Sequence, residues 1–221
     1  MAENKEEIKN GFFFIIVAFL LAVSLYQTTG ILLDTGTPFV TVVSDSMEHS
    51  HPGRFGRLST INEDEDKGIT SLFTTEMGIN IGDVVLVRGA EFDDIEAGRE
   101  KGDVIVFESK DEELNQNMPP MIHRVISRNE TSLETMGDNS QGQVRYCVRP
   151  GGEHRQKTNG CNPNERLVKI EEDIREDQVL GSAFIVLPNL GYTKLVPTCI
   201  LFDNIMGSQD PDIQYMCDSI L

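Results

Sequence analysis

Positive charge is scarce in this chain: 19 Lys and Arg stand against 36 Asp and Glu, a formal net charge of -17. Phosphate recognition needs clustered cations, so this balance excludes a nucleic-acid partner. The acidic surplus fits a soluble, self-repelling exterior, or a salty or acid-tolerant habitat. Cysteine is limited to four residues, Cys147, Cys161, Cys199 and Cys217, and none form a CxxC pair. That spacing favours disulfides over a zinc site. Long apolar runs are also absent, with one exception. Hydrophobic residues are 39% of the 221 and charged residues 25%, which permits a packed core and argues against wholesale disorder.

The exception is Gly11 to Leu33, GFFFIIVAFLLAVSLYQTTGILL, which carries no charge. Crossing a hydrocarbon core of roughly 30 Å takes about 20 helical residues, so this run reads as a transmembrane anchor. A cleavable signal peptide is the rival reading. The run is longer than a normal apolar signal core and ends in no small-x-small cleavage site, which favours a retained anchor. Lys5 and Lys9 precede it, and no Lys or Arg follows before Arg54. By the positive-inside rule residues 1–10 stay in the cytoplasm and residues 34–221 lie outside the cell membrane. The later stretch VLPNLGYTKLVPTCILF is broken by Pro188, Lys194 and Pro197 and reads poorly as a second span.

Beyond the anchor, apolar residues come in short runs rich in Val and Ile, bounded by Gly, Asp and Asn. These are Ile79 to Gly89, Lys101 to Ser109, Met121 to Asn129 and Gly181 to Pro188. This punctuation predicts a mostly antiparallel β domain. Glu63 to Lys67, Lys110 to Gln116 and the polar segment between Cys147 and Cys161 read as loops, the last closed by its own disulfide. Lys169 to Gln178, KIEEDIREDQ, is a short surface helix or a solvated linker.

Three clusters bear on chemistry: SDSM at 44–47, MIHRV at 121–125 and TMGDNS at 135–140. A serine hydroxyl becomes a useful nucleophile when a neighbouring base takes its proton. Histidine is the usual base, and a carboxylate on its other ring nitrogen fixes the tautomer. Ser46, His123 and Asp138 can supply those roles if the fold brings them together. Singly, each has a plainer reading as a turn serine, a satisfied strand histidine and an ordinary Gly-Asp-Asn turn. His49 and His51, with Glu48, are read as exposed loop residues and His154 as solvated; Asn129 opens an N-x-T glycosylation sequon.

An anchor followed in order by SDSM, IGDVVLV, KGDVIVF, IHRV and TMGDNS resembles type I signal peptidase. The histidine of IHRV makes it similar to the archaeal and endoplasmic-reticulum branch, since the bacterial branch has a lysine there. DQVLGSAFIVLPNLGY is similar to the family's closing strand pair. The resemblance implies a signal-peptidase-like β domain and a membrane-bound serine endopeptidase that removes signal peptides from exported preproteins after small residues. It implies Ser46 as nucleophile, His123 as general base, Asp138 as orienting carboxylate, and the Ser46 N–H with the Ser44 hydroxyl as oxyanion hole. Met47 would line the substrate cleft or face the membrane, and Gly82, Asp83, Gly102 and Asp103 would shape turns. No metal or organic cofactor is implied. The expected partners are signal-peptide-bearing preproteins, membrane lipid and the protein-export channel.

Two residues depart from the family pattern. Asp45 stands where Ser-Gly-Ser-Met has glycine, which bears on the oxyanion turn. Gln143, Val144 and Arg145 stand where the branch commonly has further aspartates, so either Asp138 orients the histidine alone or a carboxylate elsewhere substitutes, with Asp103 a distant candidate. The rival functions are an inactive signal-peptidase-like assembly subunit and a self-cleaving regulatory protease, the latter opposed by His123 and by the anchor.

With about 3.5 Å per extended residue, the thirteen steps from Leu33 to Ser46 span at most roughly 45 Å. A β domain lying against the bilayer therefore keeps Ser46 near its surface.

Overall fold

The computed structural model describes residues 2–48, 78–99, 101–115, 118–140, 142–149, 154–156, 161–201 and 217. The loop at Glu63 to Lys67, together with His49 and His51, lies outside the described residues.

Helix α1 (Ala2–Leu32) contains a stretch, Asn10–Leu32, long and apolar enough to cross a membrane. None of that stretch is buried against the rest of the chain, and Phe12, Leu20 and Ile31 stand exposed. Such a helix needs lipid or another apolar partner to cover it. Its C-terminal end is tied to the β domain. Gly89 N–H donates to Leu33 O (2.6 Å), the Thr35 hydroxyl donates to Leu180 O (2.9 Å), and Tyr26 OH donates to Gly36 O (3.1 Å).

Among the described residues nine strands follow: β1 (Phe39–Thr41), β2 (Val84–Arg88), β3 (Val104–Phe107), β4 (Met121–Arg128), β5 (Leu133–Met136), β6 (Arg145–Val148), β7 (His154–Gln156), β8 (Arg166–Lys169) and β9 (Val179–Leu187). Six form one sheet in the order β1-β2-β9-β3-β4-β5, and three form another in the order β7-β6-β8. Every pairing is antiparallel. The mostly antiparallel β architecture thus matches the punctuation of the sequence: the first three expected apolar runs contain β2, β3 and β4, and the fourth overlaps β9, which begins two residues before it.

Alternation along β3 divides the core. Val104 and Val106 join a cluster with Val42, Met47, Ile79 and Val85, whereas Ile105 and Phe107 join another with Ile95, Val125, Leu133 and Ile174. Successive strand residues point to opposite faces, so the large sheet is covered on both sides. One register row crosses this sheet from the helix junction to the candidate base: Arg88 pairs with Ser182, Ser182 with Ile105, and Ile105 with His123. Three strand spacings amount to about 14 Å.

Three segments differ from expectation. Within Lys110 to Gln116 a single helical turn, α2 (Glu112–Asn115), forms because Asp111 Oδ1 accepts the Leu114 N–H at 3.0 Å, an N-terminal cap. The cysteine-flanked segment is more than a loop: Cys147 and Cys161 are joined in a disulfide, and inside it β7 pairs with β6, Arg155 opposite Cys147. Lys169 to Gln178 is neither a helix nor a solvated linker throughout. Ile170, Glu171 and Ile174 are buried, Ile174 exchanges backbone hydrogen bonds with Leu133, and only Glu176–Gln178 makes a helical turn. The late apolar stretch forms helix α3 (Tyr192–Leu201), with Pro197 inside it, and Cys199 is bridged to Cys217.

The Gly-Asp pairs shape turns. Gly82 has φ +88°, and Asp83, almost fully buried, accepts the Asn80 and Asn189 N–H groups at 2.9 and 3.0 Å. Asp103 Oδ2 accepts the Glu96 N–H at 2.9 Å.

Candidate functional site

Ser46 sits in a tight turn just beyond β1. Val42 continues the pairing by exchanging hydrogen bonds with Asp83 O and Gly82 N, and Glu48 N–H then closes on Asp45 O at 3.0 Å. Met47 pins the turn from beneath. Its side chain is fully buried in the core, and its carbonyl accepts the Ile79 N–H at 3.1 Å. This corrects the expectation that Met47 lines a cleft or faces the membrane: the residue after the serine is an apolar plug that holds the serine outward. From above, Asn139 N–H donates to Ser46 O at 2.8 Å, and the Asn139 side chain donates to Asp45 O at 3.1 Å. The serine turn is therefore clamped on both sides.

His123, on β4, is 5% exposed. Its Nε2 lies 2.9 Å from Ser46 Oγ, joining residues 77 apart in sequence. The other ring nitrogen, Nδ1, is in close contact with Glu171 Oε1. Glu171 has no exposed surface, and its second carboxylate oxygen accepts the Val144 N–H. The backbone carbonyl of Glu171 is held in turn by Thr135 N–H at 2.9 Å and by the Gln143 side chain at 3.1 Å. Next to it, Glu172 has its carboxyl lowered from the ordinary carboxylate range, first by the hydrogen bond from Lys169 and then by Arg145, against the opposing effect of partial burial. That keeps Glu172 anionic and tied to both strands that deliver Glu171.

Asp138 is not at the histidine. Arg124 takes it in a two-pronged ion pair, Nε to Oδ1 at 2.8 Å and Nη2 to Oδ2 at 2.7 Å, while Nη1 donates to Gly102 O at 2.7 Å. The reason is the strand period. Arg124 directly follows His123 on β4, so the two side chains leave opposite faces and a carboxylate seated on one is kept from the other. The expected Ser46, Asp138 and His123 set is thus replaced in space by Ser46, His123 and Glu171. Asp138 remains close by as the anchor of the Gly137 to Asn139 turn.

Ser44 and Ser46 hydroxyls lie 3.2 Å apart, Ser44 being exposed. Asp45 does not have positive φ; among the described non-glycine residues only Asp34, Asp173 and Asn189 do. The turn therefore does not require glycine at 45, and the departure from Ser-Gly-Ser-Met is accommodated without strain. Glycine is required at 137. A β-carbon there would meet Ser46 O at 2.7 Å, Ser140 Oγ at 2.8 Å and His123 Nε2 at 3.1 Å. Gly137→Ala is expected to push the serine turn off the imidazole. A misplacement near 1 Å costs about 10²-fold in rate. The check is kcat of the variant against parent with KM measured in parallel, and an unchanged kcat would remove the packing argument.

Cys147, Cys161 and Glu165 lie within 4.8 Å of one another, but both sulfurs are consumed in the disulfide and offer no thiolate to a metal. An open cavity of about 960 Å³, lined among others by Asp34, Glu91, Asp93 and Arg175, excludes Ser46, His123 and Glu171 from its walls. Asn129 stands in an exposed turn where its Oδ1 accepts the Thr131 and Ser132 N–H groups at 2.9 and 2.8 Å.

Comparison with protein-family models, with curated proteins and with solved structures finds no match.

Proposed function

We propose that this chain is a membrane-anchored serine endopeptidase of the signal-peptidase type, with its N-terminus in the cytoplasm and its β domain outside. One observation carries the reading: Ser46 Oγ and His123 Nε2 stand 2.9 Å apart, within reach for direct proton transfer. A buried histidine on a serine hydroxyl, in a turn clamped above and below, is a costly arrangement for a merely structural contact. The resemblance in motif order points to the same two residues.

In this mechanism Ser46 Oγ attacks the scissile carbonyl as His123 Nε2 takes its proton. The oxyanion meets the Ser46 N–H and the Ser44 hydroxyl, donors of a kind worth about 3 to 4 kcal/mol each. His123 then protonates the leaving amine, and water, activated by the same nitrogen, releases the acyl group. The row from Arg88 to His123 supports action close to the bilayer, because its first residue adjoins the end of α1. A preprotein tethered by its own apolar helix would present its extended tail at that level. The substrate class is a strand-like stretch with small residues at the first and third positions before the cut.

Membranes carrying the chain are expected to cleave a preprotein with an Ala-x-Ala site. The same preprotein with Leu at both small positions should be cut at least about 100-fold more slowly, the discrimination expected of pockets that exclude several methylenes. Equal cleavage of the two would remove the signal-peptide reading while leaving the hydrolase. Cleavage of neither, by chains folded and inserted, would favour the inactive assembly subunit.

A further inference from the structure

We propose that Glu171 is the positioning residue of the site: it fixes the tautomer of His123 and stabilises the imidazolium that forms when Ser46 gives up its proton. This inference rests on the reading of Ser46 and His123 as nucleophile and base. It assigns the third role to a residue outside every motif that carries the resemblance.

Two features of the surroundings define what the carboxylate does. Glu171 is fully buried: its Oε2 accepts the Val144 N–H, and its Oε1 is in close contact with His123 Nδ1, two buried polar atoms with no other hydrogen-bond partner. A carboxylate only accepts hydrogen bonds, so in the proposed role Nδ1 carries the proton shared with Oε1 and Nε2 presents a lone pair to Ser46 Oγ. The other carboxylates named for this role have partners of their own. Asp138 is held by Arg124 and Asp103 by Glu96 N–H. In the resting state a buried carboxylate beside a neutral imidazole is poorly compensated. Once His123 is protonated the two form a charge pair in a water-excluded setting, so the stabilisation appears only as the reaction proceeds.

The small sheet is the support for this carboxylate. Glu171 lies two residues past the end of β8, and its Val144 partner immediately precedes β6; Arg145 and Lys169 are directly paired between those strands. The Cys147–Cys161 disulfide staples β6 further along.

Glu171→Gln gives a test in which a positioning role and a structural role predict opposite orders. The Val144 N–H demands an acceptor, so the glutamine must turn its oxygen to Val144 and its NH₂ to His123 Nδ1. That forces the Nε2–H tautomer, which cannot accept the Ser46 proton. The expected loss is about 10⁴-fold in kcat with KM near parent, as for isosteric amides in such sites. Glu171→Ala imposes no tautomer and should retain more activity than Glu171→Gln. A residue that merely fills space would show the reverse order, and that result overturns the proposal. The independent readout is ¹⁵N NMR of His123 in the full chain in detergent micelles, assigned by its loss in His123→Ala. The expected result is Nδ1–H in the parent and Nε2–H in Glu171→Gln. The same tautomer in both overturns the role of Glu171 whatever the activity. A tautomer switch in a chain that cleaves no preprotein upholds that role and removes the protease reading instead.

Discussion

Ser46→Ala, His123→Ala and the double variant are expected to lose activity by about the same factor, on the order of 10⁶ in kcat. The two side chains act as one unit: without the base the hydroxyl is not activated, and without the hydroxyl the base has nothing to deprotonate, so the second deletion adds almost nothing to the first. The 2.9 Å contact is the structural basis for this non-additivity. Rates of preprotein cleavage by the purified chains check it. Losses that multiply in the double variant would mean that Ser46 and His123 act separately. The Ser46→Ala chain should fold and insert as the parent does, because the turn is held by Met47 beneath and Asn139 above and not by the hydroxyl.

Asp138→Ala is expected to destabilise the domain by about 3 to 5 kcal/mol, since it leaves the Arg124 guanidinium buried without its carboxylate. Arg124 is 4% exposed, and the Asp138 side chain is equally enclosed. Replacing both by apolar residues of similar volume, Arg124→Met with Asp138→Leu, should recover a large part of that loss, because burying the charged pair is itself expensive. Denaturant unfolding of the full chain in micelles measures both. If Asp138 oriented His123 directly, Asp138→Ala would instead cost activity at unchanged stability, and Arg124→Met would spare activity. The anchor role predicts that activity falls with stability, through the Gly137 to Asn139 turn that holds the Ser46 carbonyl.

The sequence made four of the strands and part of the candidate site readable for local reasons. Short Val and Ile runs bounded by Gly, Asp and Asn mark β2, β3, β4 and β9, and a charge-free run marks α1, because each signal is complete within about ten to twenty residues. Ser46 and His123 were readable because their residue types and order carry chemistry. Their third partner was not. Glu171 lies in KIEEDIREDQ among Glu172, Asp173, Glu176 and Asp177, and nothing local distinguishes the one acid that the tertiary fold buries. The available hint was the pair Ile170 and Ile174, both buried, which betray a segment pressed against the core rather than solvated. Asp138 misled for the converse reason. A Gly-Asp-Asn turn places a carboxylate near the serine, but which face of β4 it meets is set by register, and register put Arg124 there. Met47 misled because a residue beside a nucleophile invites a substrate role, whereas its full burial makes it a support.

The central claim is that Ser46 and His123 make this anchored chain an endopeptidase. The most direct measurement is incubation of an Ala-x-Ala preprotein with membranes carrying the parent chain, Ser46→Ala, or neither, followed by N-terminal sequencing of the product. The account predicts product from the parent alone, beginning at the residue after the second alanine. Product at the same position from Ser46→Ala membranes, above the membranes lacking the chain, would contradict it.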